Sequence, residues 1–174
     1  MEKGYVQVYT GNGKGKTTAS LGLCLRATGA GLKVYLGQFM KDMETSEIKA
    51  VKRLIPDICV EQYGLGCECC CDGEFSEEYI AKTKEGLKKA VEIVKSGQYD
   101  VIVLDEINVA AHYKLIDISD VLTLIDQKPE KTELVLSGRY AAEEIIAKAD
   151  LVTEMKEIKH YFEAGVQARV GIEK

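Results

Sequence analysis

Nine residues, Thr10-Gly11-Asn12-Gly13-Lys14-Gly15-Lys16-Thr17-Thr18, constrain this chain more than any other segment. They follow an apolar, strand-like run, Tyr5-Val6-Gln7-Val8-Tyr9, and lead into a helix-like run from Ala19 to Ala30. A strand, a glycine-rich loop and a helix in that order are the context of a phosphate-binding loop. Glycines let successive backbone N–H groups turn toward one anion, and the helix N-terminus adds about half a positive charge. In this pattern Lys16 reaches the phosphates and the Thr17 hydroxyl ligates Mg²⁺. Lys14 is either a second phosphate contact or a solvent-facing side chain. The usual pattern begins with glycine, and here that position is Thr10. A glycine-rich surface turn is the bland alternative. The flanking strand and helix, with Gly15-Lys16-Thr17 intact, outweigh it, so nucleotide binding is expected.

The rest of the chain alternates apolar runs with amphipathic segments, which predicts an α/β fold with a mostly parallel sheet. Strands are expected near 33–39, 58–63, 100–104, 133–137 and 151–155. Helices are expected near 16–30, 44–54, 76–95, 109–113, 118–126 and 141–149. Ser76 reads as an N-cap, with Glu77 and Glu78 in the first turn complementing the helix dipole. Val101-Ile102-Val103-Leu104 is a continuous apolar run, as in a parallel strand covered on both faces. It ends in Asp105-Glu106, which reads as the acidic end of a Walker B-type strand. Asp105 would orient Mg²⁺ directly or through water, and Glu106 is a ligand or a base. Arg139 follows the strand at 133–137, so Gly13, Asp105 and Arg139 are expected to converge beyond the carboxyl ends of three strands. Arg26 lies under three turns beyond Lys16 on the same helix, close enough to bend toward the nucleotide or to pair with a surface acid. Asn108 is a candidate cap for the following helix. Residues 157–174 are punctuated by glycine and expected to be irregular.

The 174 residues suffice for one domain with a substantial core. The net charge of -5, without a basic stripe, argues against broad nucleic-acid binding. No apolar run approaches the roughly 20 residues of a membrane span. Met1-Glu2-Lys3-Gly4 lacks the apolar core of a signal peptide, so the expected location is cytoplasmic. Of the six cysteines, Cys24 and Cys59 read as core residues. Cys67, Cys69, Cys70 and Cys71 crowd a loop at 64–74 and are expected to be thiols in a reducing compartment. Cys67 and Cys70 have metal-ligand spacing, but neither a second pair nor a neighbouring histidine completes four ligands. His112 and His160 lack the spacing of a histidine metal site.

Taken together these residues resemble one family, the ATP-dependent corrinoid adenosyltransferases acting on cob(I)alamin and cob(I)yrinic acid a,c-diamide. The likeness rests on residues 10–18, whose leading threonine is a family trait, on Leu-Asp-Glu-Ile-Asn (104–108) and on Leu-Ser-Gly-Arg (136–139). It continues through Ala-Asp-Leu-Val-Thr-Glu-Met (149–155), His160, Gly165 and Gly-Ile-Glu (171–173). The resemblance implies a RecA-like P-loop fold, a homodimer, and an electron donor of the reductase or flavodoxin type. It further implies that Co(I) attacks the ribose C5′ of ATP and that triphosphate leaves. By similarity the loop 10–18 binds ATP together with Arg26 and Arg139. Thr17, Asp105 and Glu106 serve Mg²⁺, and Lys16, Glu106 and Arg139 carry the catalysis. Because C5′–O is the bond broken, no water-activating base is needed; the site must stabilise charge gathering on the leaving triphosphate.

One stretch departs from that pattern. Relatives carry a Gly-Phe-Thr-Trp-like segment after the third strand, whose aromatics pack under the corrin. Here the corresponding residues are Gly66-Cys67-Glu68-Cys69, which makes Cys67 and Cys69 the corrinoid-facing candidates. Two other readings compete: a generic P-loop ATPase or kinase, and a thiol-cluster metal-binding protein regulated by ATP.

Overall fold

The computed structural model describes residues 2–65 and 75–174. Six strands form one sheet: β1 (Val6–Thr10), β2 (Val34–Phe39), β3 (Ile58–Tyr63), β4 (Val101–Asp105), β5 (Glu133–Ser137) and β6 (Leu151–Glu154). Their order is β3-β2-β4-β5-β1-β6, and every neighbouring pair is parallel. Parallel neighbours need crossovers, and these carry the helices. The helices are α1 (Lys16–Gly29), α2 (Ser46–Leu54), α3 (Glu77–Ser96), α4 (Ile107–His112), α5 (Ile118–Asp126) and α6 (Glu143–Lys148).

The two-residue period of a strand divides the core. Val101 and Val103 of β4, with Val135 of β5, pack among Cys24 and Ala27 of α1 and Ile48 and Val51 of α2. Ile102 and Leu104, with Leu134 and Leu136, face the other side, against residues of α3 to α6 such as Leu87, Ala110, Leu124 and Ile145. Both faces of β4 are therefore buried, which is why its sequence is an unbroken apolar run. Each fully buried aliphatic side chain there contributes about 1.5–3 kcal/mol.

The strands at 58–63 and 133–137 and the helix at 118–126 lie where the sequence places them. Ser76 caps α3, its Oγ accepting the Tyr79 N–H at 3.2 Å. The helix after β4 begins earlier than expected, at Ile107, with Glu106 rather than Asn108 at the N-cap. Asn108 is already helical, and its Nδ2 donates to the Leu136 carbonyl at 3.3 Å, tying α4 to β5. Cys24 is fully buried, as a core residue should be, whereas Cys59 is only half-buried.

The tail at 157–174 carries neither an α-helix nor a strand. A 3₁₀ turn at Tyr161–Ala164 precedes a cluster in which Glu173 accepts from Tyr161 and Arg169. The Arg169 guanidinium also lies over the Tyr161 ring, 5.0 Å from its centroid.

Candidate active site

A cavity of about 750 Å³ opens at the carboxyl ends of the strands. Asn12 to Thr18 form one wall, and Glu106 and Arg139 approach from β4 and β5. Thr45, Ser46 and Glu47 enter from α2 and the turn before it, and His160 with Gly171 to Lys174 from the tail. Although the chain is acidic, Lys14, Lys16, Lys41, Arg139 and Lys174 outnumber Glu47, Glu106 and Glu173 around this space. The cavity is locally suited to an anion.

The phosphate loop is shaped by close backbone approach. Gly11 has φ 91°, and a Cβ there would stand 2.5 Å from the Met155 carbonyl. The Gly13 N–H donates to that same carbonyl at 2.6 Å, fastening the loop to the end of β6. Gly15, at φ 118°, caps α1 without any side-chain acceptor, and no acid occupies the first turn. The first-turn N–H groups of α1 are thus left for an anion in the cavity. The Lys16 ammonium donates to the carbonyls of Gly11 at 2.7 Å and Gly13 at 2.8 Å. Burial lowers its pKa, against the nearby charge of Glu106.

Thr10 and Gly11 support the loop rather than line the cavity. The Thr10 hydroxyl accepts the Ala141 N–H at 3.3 Å, bracing β1 against the segment after β5. Lys14 does line the cavity; its side chain is 44% exposed, and its ammonium donates to the Ile172 carbonyl at 3.1 Å. Arg26 is exposed on α1, about 15 Å along the helix from Lys16, and is not part of the lining. Cys67 and Cys69, with Cys70 and Cys71, lie outside the described residues.

At the end of β4, Asp105 is fully buried and gathers four side chains, from α1, β2, the turn after β2, and β5. Ser137 Oγ donates to Oδ1 at 2.5 Å, and Gln38 Nε2 and Lys41 Nζ donate to Oδ2 at 3.1 and 2.7 Å. Thr17 Oγ1 lies 3.1 and 3.2 Å from the two oxygens. Burial by itself would raise the Asp105 pKa, but the Lys41 ammonium and the donated hydrogen bonds outweigh it and hold the carboxyl below its usual range. Glu106 is pushed the other way, first by burial and then by the charge of Asp105. Burial also opposes the charge on Lys41, yet Asp105 and Glu106 more than compensate, so this side chain is an ammonium.

Backbone strain concentrates on the same edge. Met40, Glu106 and Tyr140 have φ values of 56°, 61° and 60°, and they follow β2, β4 and β5. A left-handed residue bends the chain sharply as it leaves a strand, and such strain collects at functional sites. The turn at Met40 delivers Lys41 back onto β4, because β2 and β4 are paired with Gln38 opposite Asp105. Lys41, Gln38, Ser137 and the tail residues are the members of the site that sequence reasoning missed. The cation next to the strand end at Phe39 was visible, but its meaning depends on β2 lying beside β4.

Thr17, Asp105 and Glu106 offer hard oxygen donors, which fit Mg²⁺, and the Lys41 ammonium among them already shows that the position favours a cation. Among the described residues no group of three or more His, Cys, Asp or Glu forms a metal cage of its own.

Comparison with known proteins narrows what such a site serves. The pattern of the ATP:corrinoid adenosyltransferase BtuR/CobO/CobP family matches residues 2–173. A corrinoid adenosyltransferase from Sinorhizobium sp. is 37% identical over 174 residues, covering 99% of this chain and 81% of that one. Namesakes from Pseudomonas aeruginosa and Escherichia coli are 34% and 31% identical, each over 99% of this chain and over 84% and 86% of their own lengths. In fold alone, the chain resembles the flagellar accessory protein FlaH of Methanocaldococcus jannaschii. The TM-score is 0.64 at 13% identity, over 88% of this chain and 72% of that one. Matched almost from end to end, the chain belongs to the ATP:corrinoid adenosyltransferase family.

Proposed function

We propose that the chain works as one domain that binds ATP with Mg²⁺ in the cavity and passes its 5′-deoxyadenosyl group to the Co(I) of a corrinoid. The observation that carries this reading is the convergence of Lys16, Thr17, Glu106 and Arg139 on one anion-compatible space, in a chain of this family. The cobalt electron pair attacks C5′, the C5′–O bond breaks, and triphosphate leaves with the bonding electrons. Lys16 and Arg139 hold the polyphosphate, and the N–H groups of the first turn of α1 meet the charge that develops on the departing oxygen. Thr17 and Glu106, with Asp105, would hold Mg²⁺, which would supply positive charge to neutralise the phosphates. Glu106 acts here as a ligand, since no water needs activation. Arg26 reaches the nucleotide only by bending back along α1, so its part in phosphate binding is the weakest of the set.

The test is direct. Purified protein, ATP, Mg²⁺ and chemically reduced corrinoid should give a light-sensitive Co–C product and triphosphate. Release of ADP and phosphate, with no alkylcobalt spectrum, would favour a plain ATPase instead.

Three further features belong to this reading. By resemblance, Cys67 and Cys69, which lie outside the described residues, would serve the corrinoid; Leu65 and Phe75, the described residues on either side, both pack on the core. Replacing both cysteines by serine should spare ATP binding and change corrinoid kinetics. The enzyme is a homodimer: β6 is an edge strand exposed along its whole length, with Leu151 and Val152 uncovered, and a second copy would bury it. Sedimentation at micromolar concentration tests this. The electron that makes Co(I) comes from a reductase or flavodoxin-type donor in the cytoplasm. Among the described residues no helix is long and apolar enough to cross a membrane.

A further inference from the structure

Lys41 stands where the site described above would hold its metal. Its ammonium is 2.7 Å from Asp105 Oδ2, 3.1 Å from Thr17 Oγ1 and 3.9 Å from Glu106 Oε1, the three side chains that would serve Mg²⁺. No other described ammonium or guanidinium is in hydrogen-bond or ion-pair contact with either carboxylate. A monovalent ammonium and a divalent ion cannot share this position: both need the same oxygens, and their charges repel. Asp105 cannot turn away to admit both, because Ser137 and Gln38 hold it from behind.

The geometry also says which part is able to move. The backbone at Lys41 is clamped, since a Cβ on Gly64 would come within 2.6 Å of the Lys41 nitrogen. The Lys41 side chain is 29% exposed and already lines the cavity. Its four-carbon stem can swing about its own torsions while the strand stays in place.

We propose that Lys41 is a resident counter-ion, which occupies the divalent-cation position in the nucleotide-free protein and moves onto the polyphosphate when the metal–nucleotide complex arrives. This rests on the metal–nucleotide reading of the cavity. Two consequences follow. The nucleotide-free protein discriminates against divalent ions arriving alone, because Lys41 must be displaced with no phosphate to receive it. The metal–ATP complex carries both the replacement cation and the anion that takes up the displaced ammonium.

Mn²⁺ paramagnetic resonance titrations, with and without ATP, test this on the full chain. The parent protein should bind Mn²⁺ with ATP and bind Mn²⁺ alone at least tenfold more weakly. If the parent binds no Mn²⁺ even with ATP, the reading of the cavity fails, and the counter-ion proposal falls with it. Lys41→Met and, as a second neutral variant, Lys41→Gln should bind Mn²⁺ alone at least tenfold more tightly than the parent. Each should also gain more in melting temperature from Mn²⁺ alone than the parent does. Lys41→Arg, which keeps the charge, should stay at the parent's affinity. If the parent binds Mn²⁺ with ATP but neither neutral variant gains affinity for Mn²⁺ alone, the cavity reading stands and the counter-ion proposal is overturned. An equal gain in Lys14→Met would overturn it too, by showing a general charge effect.

Discussion

The phosphate loop and the acidic end of β4 face the same cavity but are held in opposite ways. The turn of the loop is closed locally: Lys16 ties it onto the carbonyls of Gly11 and Gly13, and the Met155 carbonyl fastens its backbone from far along the chain. The end of β4 is a long-range object, where Asp105 draws Thr17, Gln38, Lys41 and Ser137 from elements scattered over the sequence. The comparison separates what can be altered chemically without disturbing the fold from what serves both at once.

The largest expected effect on function is at Lys16. Lys16→Ala should cost at least about a hundredfold in turnover, as loss of a transition-state anion contact does, while the melting temperature stays close to the parent's. Asp105→Ala should break the comparison from the other side, because four partners lose their acceptor inside the protein. A loss of about 3 kcal/mol in denaturant unfolding is expected, along with activity. If the two variants proved equally stable, the distinction between a local loop and a long-range anchor would be wrong.

The tail gives a smaller effect. Removal of residues 171–174 takes away the contacts to Lys14 and Ser46. It should weaken nucleotide binding roughly three- to tenfold, as loss of a few exposed contacts does, with little change in stability. Acid should reproduce part of this. Hydrogen bonds from Arg169 and Tyr161 depress the Glu173 carboxyl to about 2 from an ordinary 4.5. For a depressed carboxylate, the tail's clasp is fully present above about pH 4.5 and is lost as pH falls toward 2. The Glu173 carboxyl resonance, followed by NMR, should titrate with a midpoint near 2, and an ordinary midpoint near 4.5 would show the clasp to be absent in solution. The smallest effect is at Cys24, whose thiol burial pushes up to about 12. It should resist alkylation near pH 8 until the protein is unfolded, as mass spectrometry of labelled peptides would show.

The same contrast explains what was legible in the sequence. The loop is written in consecutive residues, so its glycines, Lys16 and Thr17 could be read directly. The β4 run revealed a strand buried on both faces for a similar reason. The order of the strands is not written locally, and Lys41 acquires its position only because β2 lies between β3 and β4. Asn108 misled because capping residues and buried hydrogen-bonding residues share a chemistry; its partner, the Leu136 carbonyl, is supplied by β5. The tail's approach to Lys14 had only one signal, the Gly-Ile-Glu segment, and glycine-rich exposed sequence carries no periodicity from which a path can be traced.

The bond from the Gly13 N–H to the Met155 carbonyl makes the rim of the sheet part of the nucleotide's own scaffold. Met155 directly follows β6, the strand with the bare outer edge. A molecule that grips that edge and stiffens Met155 also prearranges the loop, and a nucleotide that orders the loop returns the favour by the same factor. Were that edge occupied, a change in nucleotide affinity would be the measurable sign of it.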